Sequence, residues 1–479
     1  MIKAYYDFVL RSVKKQYSRM VVIYTYLCII YNILFIINPI RDFIENSVFI
    51  YFSKILCVVG IVLAAVDLCR ERISLKVSNK KWIYLLLSAA VISTIYRYSY
   101  DFVGNIKSIL WSMVQMTLIY SVAFRLSDKE ENDLMIRLHS FGTVIFIPVI
   151  IYMFYQFINL EYYITEKDMH QGWYEGRLYG ITNTLYYGTS LAAVLLFGSV
   201  FMFIYSKHKA FKLMYLTEIL IYGLYIILSD TRTIFVGIAA GLFVLVMFGD
   251  FLHSITHGIK RIICKLVMYM LLIAVLLMLV KGVRTVMLKA AYDNVHNKTN
   301  RVISAEELDR PKNQTLSSRR TIIWKSYADI LGDDVLNIIF GFSPYGYDRY
   351  IWENYQDSYV VKDFKALYPY DHARKKVYGA HNTYLHVMIT TGIFGFIAVI
   401  GFILSSAHEF LKKHISARSS LKDLFFCSIL VMLLSFIFFE VDIFMRTTAM
   451  SFVFWLVAGV LLKRLKRIEI SKTTGGIDE

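Results

Sequence analysis

The chain has 479 residues, of which 57% are hydrophobic and only 18% charged. With a positive mean hydropathy, that balance excludes an ordinary soluble domain and points to a membrane. The formal net charge of +16 is read as topogenic, which sets aside a nucleic-acid partner.

Apolar stretches near 20 residues recur along the whole length, as crossing a hydrocarbon core of roughly 30 Å requires. About twelve are expected, near 20–38, 48–68, 82–96, 106–124, 141–158, 185–205, 213–228, 233–249, 262–280, 383–404, 424–439 and 447–462. The stretches 82–96 and 213–228 are short for a crossing. Lipid offers the backbone no hydrogen-bond partners, so these segments are helices and the expected class is an all-α integral membrane protein. No cleavable leader is visible: the first 19 residues are basic and polar, and the first apolar run is long enough to remain as an anchor.

Charge placement sets an expected orientation. With the N-terminus in the cytoplasm, the inner short segments hold about 28 Lys and Arg and the outer ones about 7. That asymmetry fits twelve crossings with both termini cytoplasmic. The chain then divides into a bundle over 1–280, a large extracytoplasmic loop over 281–380, and a second bundle with a basic tail over 381–479. A cysteine placed at Ser343 is expected to label from outside, and one at Ser78 not.

The long loop is too long for a turn and is expected to carry short helices. It is rich in aromatics, among them Trp324, Tyr327, Tyr347, Tyr350, Trp352 and Tyr359. Such rings suit the C–H faces and hydroxyls of sugars, or pack the loop onto the bilayer interface. The five cysteines, Cys28, Cys57, Cys69, Cys264 and Cys427, all fall in spans or on the inner face, so the loop holds no disulfide. No CxxC pair, P-loop or GxGxxG follows a strand; no metal and no cofactor is expected.

Few cations face outward, and they sit near helix starts. Arg177 lies in EGRLYGITNTLYYG just before the sixth span, as an anion ligand or an interfacial anchor. Arg232 follows Ser229 and Asp230, which can cap the helix opening near Thr233. A cation in a first helical turn opposes the macrodipole, and a bound anion resolves that conflict; the alternatives are lipid phosphates or Asp230 itself. Arg320 and Trp324, four apart, share one face of a short helix, with Arg319 pointing elsewhere. His381 and Asn382 open the tenth span, Asn382 as its cap. Glu440 and Asp442 form an outward E-x-D between the last two spans: a second carboxylate site, an acid/base pair, or a solvated turn.

In order, these are Arg177 with Gly180, Ser229 to Arg232, Arg320 with Trp324, Gly341-Phe342-Ser343, and His381-Asn382-x-x-Leu385 with Thr391-Gly392-x-x-Gly395. The set resembles the O-antigen polymerase and O-antigen ligase superfamily of bacterial envelope glycosyltransferases, over about residues 176–400. The resemblance implies a GT-C-like, metal-independent enzyme on the outer face of the cytoplasmic membrane. Its donor would be a glycan on undecaprenyl diphosphate. Arg232 and Arg320 would clamp the diphosphate, and His381 would act as base or as diphosphate ligand. Arg177, Trp324, Asn382 and Glu440 would contact substrate. Implied partners are the donor and a glycan acceptor in the bilayer, with a chain-length regulator and a flippase. A polymerase joins repeat units; a ligase moves polymer onto lipid A core. A non-catalytic glycan transporter is the reading from another class, although a transporter would carry cations within its spans.

Overall fold

A computed structural model describes residues 2–70, 79–165, 170–249, 258–299, 319–417 and 419–474. The chain is mostly helical. The helices are α1 (Ile2–Ile36), α2 (Asn38–Glu45), α3 (Ile50–Arg70), α4 (Lys80–Tyr96), α5 (Phe102–Met113), α6 (Asp128–Ile158), α7 (Leu185–Tyr205), α8 (Lys209–Ser229), α9 (Arg232–Phe248) and α10 (Gly258–Thr299). Five short ones follow: α11 (Arg320–Gly332), α12 (Val335–Phe340), α13 (Tyr347–Asn354), α14 (Tyr359–Leu367) and α15 (Pro369–Ala373). The chain then completes the bundle with α16 (Thr383–Ala417), α17 (Leu421–Phe436) and α18 (Ala449–Thr474).

Each of the twelve apolar stretches falls on or largely on a helix, that over 106–124 running on from α5 through a π-helical turn (Val114–Ile119) to Arg125. Among the described residues, 8 helices are long and apolar enough to cross a membrane, and Arg232–Phe248 is a shorter apolar helix. Local chemistry explains several boundaries. Ser127 and Glu130 close the start of α6 as a reciprocal capping box, with Asp128, Glu130 and Glu131 in its first turn. The same device, Ser420 with Asp423, opens α17.

Two features depart from expectation. The ninth apolar stretch does not end at 280: α10 continues to Thr299, because VKGVRTVMLKAAYDNVHNKT contains no proline and many good helix formers. The segment before the sixth span carries a small antiparallel sheet, with strands β1 (Tyr162–Ile164), β2 (His170–Tyr174) and β3 (Arg177–Gly180) in that order. Its β2–β3 turn is Glu175-Gly176, both at positive φ, the conformation that matches the twist of a tight hairpin.

Close helix contacts occur where glycine permits them. On α9, a Cβ at Gly237 would collide with the Phe436 ring, and one at Gly241 with Phe197 and the Ser428 carbonyl. The pairing of 237 with 436 and 241 with 428 makes α9 antiparallel to α17. At the other end of the bundle, buried carboxylates tie four helices together. Glu131 takes Lys463 and Arg464, and Asp423 takes Lys413 and Arg464, at 2.6–3.2 Å.

The region α11–α15 has its own core of Ile323, Tyr327, Phe342, Ile351 and Val361, sealed by Ile389 of α16. α16 is broken at Gly392, with φ 67° and ψ −169°. The break frees carbonyls that this region and α4 satisfy. Phe342 N–H donates to Ile389 O at 2.7 Å. Ser93 Oγ donates to Thr390 O and accepts from Ser343 N–H, both at 2.9 Å. Ser343 is consequently fully buried and unsuited to labelling; Ser78 and the Cys69 side chain lie outside the described residues. Cys28, Cys57, Cys264 and Cys427 are free thiols.

Candidate functional site

The turn between α17 and α18 is the centre of the site. Glu440 projects from it and is shared by two partners. Arg320 Nη2 donates to Glu440 Oε1 at 2.6 Å, and His381 Nδ1 lies 3.2 Å from Glu440 Oε2. A carboxylate only accepts, so Nδ1 is the donor in this contact and Nε2 is the ring nitrogen that Glu440 does not engage. The His381 side chain is 41% exposed, against 20% for Glu440 and for Arg320. His381 has φ 45°, a left-handed conformation uncommon outside glycine and found at functional positions.

Neighbouring residues hold this trio. Asn382 Oδ1 accepts from Leu385 N–H at 3.0 Å, capping α16. Thr383 Oγ1 donates to Glu440 O at 2.7 Å and accepts from Asp442 N–H at 2.9 Å, stitching the start of α16 to the turn. Arg320 and Trp324 do share a face. The Arg320 guanidinium lies 5.7 Å from the Phe439 ring, and Trp324 meets Phe438 edge-on while its Nε1–H donates to Ala380 O at 2.8 Å. Arg319 points away, to Asp363 at 3.2 Å.

Arg232 stands exposed at the start of α9 and has no ion-pair partner among the described residues. Because α9 runs antiparallel to α17 with Gly237 beside Phe436, Arg232 sits about 7 Å beyond that contact, at the level of the Glu440 turn. Asp230 does not serve as the cap expected of it. It is the left-handed C-cap of α8 and pairs with Arg284 Nη1 at 2.9 Å. Arg284 also donates to the carbonyl of Gly176 at 2.7 Å, so one side chain joins α10, the α8–α9 corner and the hairpin. This brings β3, which begins at Arg177, against the corner that carries Arg232. The contacts do not join Arg177 to His381 or Glu440.

Arg284 was not singled out from the sequence. It lies between Lys281 and Lys289 in a stretch that reads as the start of the long loop. Also unanticipated is a buried layer beneath the trio: His386 and Asp442 are fully buried, and Arg446 donates to Tyr347 Oη at 3.3 Å. Both His386 ring nitrogens and Asp442 Oδ2 lack a hydrogen-bond partner among the described residues.

The E-x-D is therefore not a solvated turn. Burial pushes the Asp442 carboxyl up to about 6, against the pull of hydrogen bonds from Thr448 and Ile443 N–H and the nearby Arg446. Between the ordinary carboxyl value and about 6, the folded chain holds a proton that the unfolded chain releases. Stability from this group thus falls as pH rises through that window and levels off above it, a cost of roughly 3 kcal/mol at pH 8. Asp442→Asn is expected to melt higher than the parent at pH 8, with the gain about halved at pH 5. Thermal unfolding in detergent at the two pH values checks this; an equal gain at both would count against it.

No curated protein matches the chain. A family model described as O-antigen ligase matches residues 217–400, a segment that holds Arg232, Arg284, Arg320, His381 and the break at Gly392. Over that segment the chain is similar to the O-antigen ligase family, which supports a place in the O-antigen polymerase and ligase superfamily.

Proposed function

We propose that the protein polymerises undecaprenyl-diphosphate-linked oligosaccharide repeat units into O-antigen, capsular or exopolysaccharide. On this reading it crosses the cytoplasmic membrane twelve times, with both termini inside and the Glu440 site on the outer face. The observation that carries it is the sharing of Glu440 by Arg320 and His381, at the bundle end where Arg232 stands exposed.

The chemistry follows from that arrangement. An acceptor hydroxyl attacks the anomeric carbon of the donor sugar, and its proton passes to His381 Nε2. The bond from the anomeric carbon to the phosphate oxygen breaks, and the diphosphate leaves with the electron pair. Glu440 holds the imidazole in the tautomer that accepts this proton and stabilises the cation that results. Arg320 uses Nη2 for Glu440, and its remaining donors, with Arg232, face the developing negative charge. Trp324 holds the chain at Ala380 and Asn382 the start of α16, and Arg177 approaches from the hairpin.

The test is direct. Purified protein in detergent with EDTA and its repeat-unit donor alone is expected to give a ladder of longer glycans and free undecaprenyl diphosphate. The family model is described as a ligase, which gives the second reading its support: single transfers that appear only when lipid A core is added would establish it. Movement of donor across a liposome bilayer with no glycosidic bond formed would replace both with a transporter. Orientation is checked separately. In a cysteine-free parent, Asp357→Cys, whose position is 94% exposed, should label in intact cells, and Ala210→Cys should not.

A further inference from the structure

A groove of about 510 Å³ runs along the flank of α11. One wall is the stripe Ile322, Ser326, Asp329 and Asp333; the other is the turn after α13, with Tyr355, and the start of α14, with Tyr359. From Ile322 to Asp333 the stripe extends roughly 16 Å. It lies roughly half a turn round α11 from Arg320 and Trp324, so the groove is a place apart from Glu440. Ile330, at its floor, belongs to the core of α11–α15.

The chemistry of the groove is mixed. Ser326 is only 8% exposed and lines it, and the serine hydroxyl has no hydrogen-bond partner among the described residues. A hydroxyl buried without a partner is unfavourable, so Ser326 calls for a polar ligand. Lys325 and Asp329, one cation and one carboxylate, line the same groove and make no ion pair among the described residues. Asp333 and Tyr355 are already positioned: Tyr355 Oη donates to Asp333 Oδ2 at 3.1 Å and accepts from Asn337 Nδ2 at 3.2 Å. Tyr359 stacks nearly parallel to Tyr378, with 6.3 Å between ring centres.

We propose that this groove binds an uncharged stretch of glycan and holds the chain that the enzyme is extending. The groups that line it select among ligands. An anion would face Asp329, Asp333 and Asp357. A metal ion would need a tighter set: among the described residues, no three His, Cys, Asp or Glu side chains come together to hold one. A purely apolar partner would leave Ser326 and the carboxylates without hydrogen bonds. Sugar hydroxyls both donate and accept, so they can satisfy Asp329, Ser326 and Lys325 together, and the C–H face of a sugar ring packs on tyrosine. That the glycan is the product rests on the proposed function; the preference for a ligand rich in hydroxyls does not.

Isothermal titration of the full chain, in a detergent without a sugar head group, tests it. The probe is the reducing oligosaccharide that mild acid frees from the lipid-linked repeat unit. The parent is expected to bind it, and the double variant Asp329→Asn, Asp333→Asn to bind it about tenfold more weakly. Ser326→Leu, which fills the groove, should abolish the heat of binding. Should that variant fail to fold, the substitutions at the exposed Asp329 and Asp333 still decide. In the polymerisation assay the double variant should give a ladder shifted to shorter glycans. Oligosaccharide binding that these variants leave unchanged, or that the parent lacks, would overturn the groove, even where a ladder is made. Groove-dependent binding with no ladder would instead sink the polymerase reading and leave the groove standing. Displacement of the oligosaccharide by a lysine-rich peptide at equal concentration would overturn the choice of ligand in favour of a basic protein segment.

Discussion

Glu440→Ala is expected to reduce polymer formation by roughly a hundredfold or more, the scale of a lost acid–base apparatus. The side chain acts through two others, as a positioning residue. Without it the His381 imidazole has no acceptor at Nδ1, and either tautomer becomes available. Arg320 at the same time loses its 2.6 Å anchor. Glu440→Gln keeps an acceptor for Nδ1–H but not the charge that stabilises the imidazolium, so it should fall between parent and alanine. The readout that separates this role from a structural one is the division between kcat and KM. A transition-state effect lowers kcat with KM little changed, while a loosened donor site raises KM. Arg320→Lys should also be poor, since an ammonium cannot keep Glu440 on one nitrogen and present further planar donors to a diphosphate. Activity of Glu440→Ala within twofold of the parent, at equal protein in the membrane, would remove Glu440 from the mechanism.

Gly392→Ala is expected to be lost from the membrane or to melt far below the parent. The residue sits at φ 67°, ψ −169°, a region essentially closed to side chains. A Cβ there would lie 2.1 Å from Ile339 O. Gly341 faces it in nearly the same conformation, φ 70° and ψ −162°, and a Cβ there would meet Gly392 N at 2.7 Å. Each substitution forces apart the two backbones whose contact lets Phe342 N–H reach Ile389 O. The expected cost is about 3 kcal/mol or more, combining backbone strain with an unsatisfied carbonyl. Fluorescence-detected gel filtration of both single variants checks it; a parent-like profile for Gly392→Ala would show that the break in α16 is not required.

What was legible in the sequence follows from the physics of lipid. Length and apolarity decide where helices run when the solvent supplies no hydrogen bonds, so the twelve stretches all fell on or largely on helices. The end of α10 was not legible, because hydropathy marks where a chain leaves lipid and not where its hydrogen bonding stops; residues 281–299 are polar enough to read as loop and are helical. The sheet over 162–180 was missed for a related reason: its strands are three to five residues long, too short for alternation to register. Around the site, the spacing of Arg320 and Trp324 and the cap at Asn382 are local geometry and could be read directly. That Glu440 meets both Arg320 and His381 depends on contacts 120 and 59 residues apart, and nothing in a single sequence reports those. Arg284 escaped because its partners, Asp230 and Gly176, belong to two other segments. The glycines of Thr391-Gly392-x-x-Gly395 were read as part of a functional motif, and the geometry gives Gly392 a backbone task.

The seal between Gly341 and Gly392 bears on the order in which the molecule can be assembled. Residues 320–380 leave the ribosome before 389–392, and both precede Glu440. The short helices α11–α15 are therefore made with Ile389 still missing from their core, and the Phe342 amide without its acceptor. Only when α16 has threaded and broken at Gly392 can that region close, and only after α17 has followed does Arg320 meet its carboxylate. The region 320–380 is thus a late-maturing unit, finished by the helices that come after it, and severing the chain between 380 and 383 should leave the first fragment unable to complete its own fold.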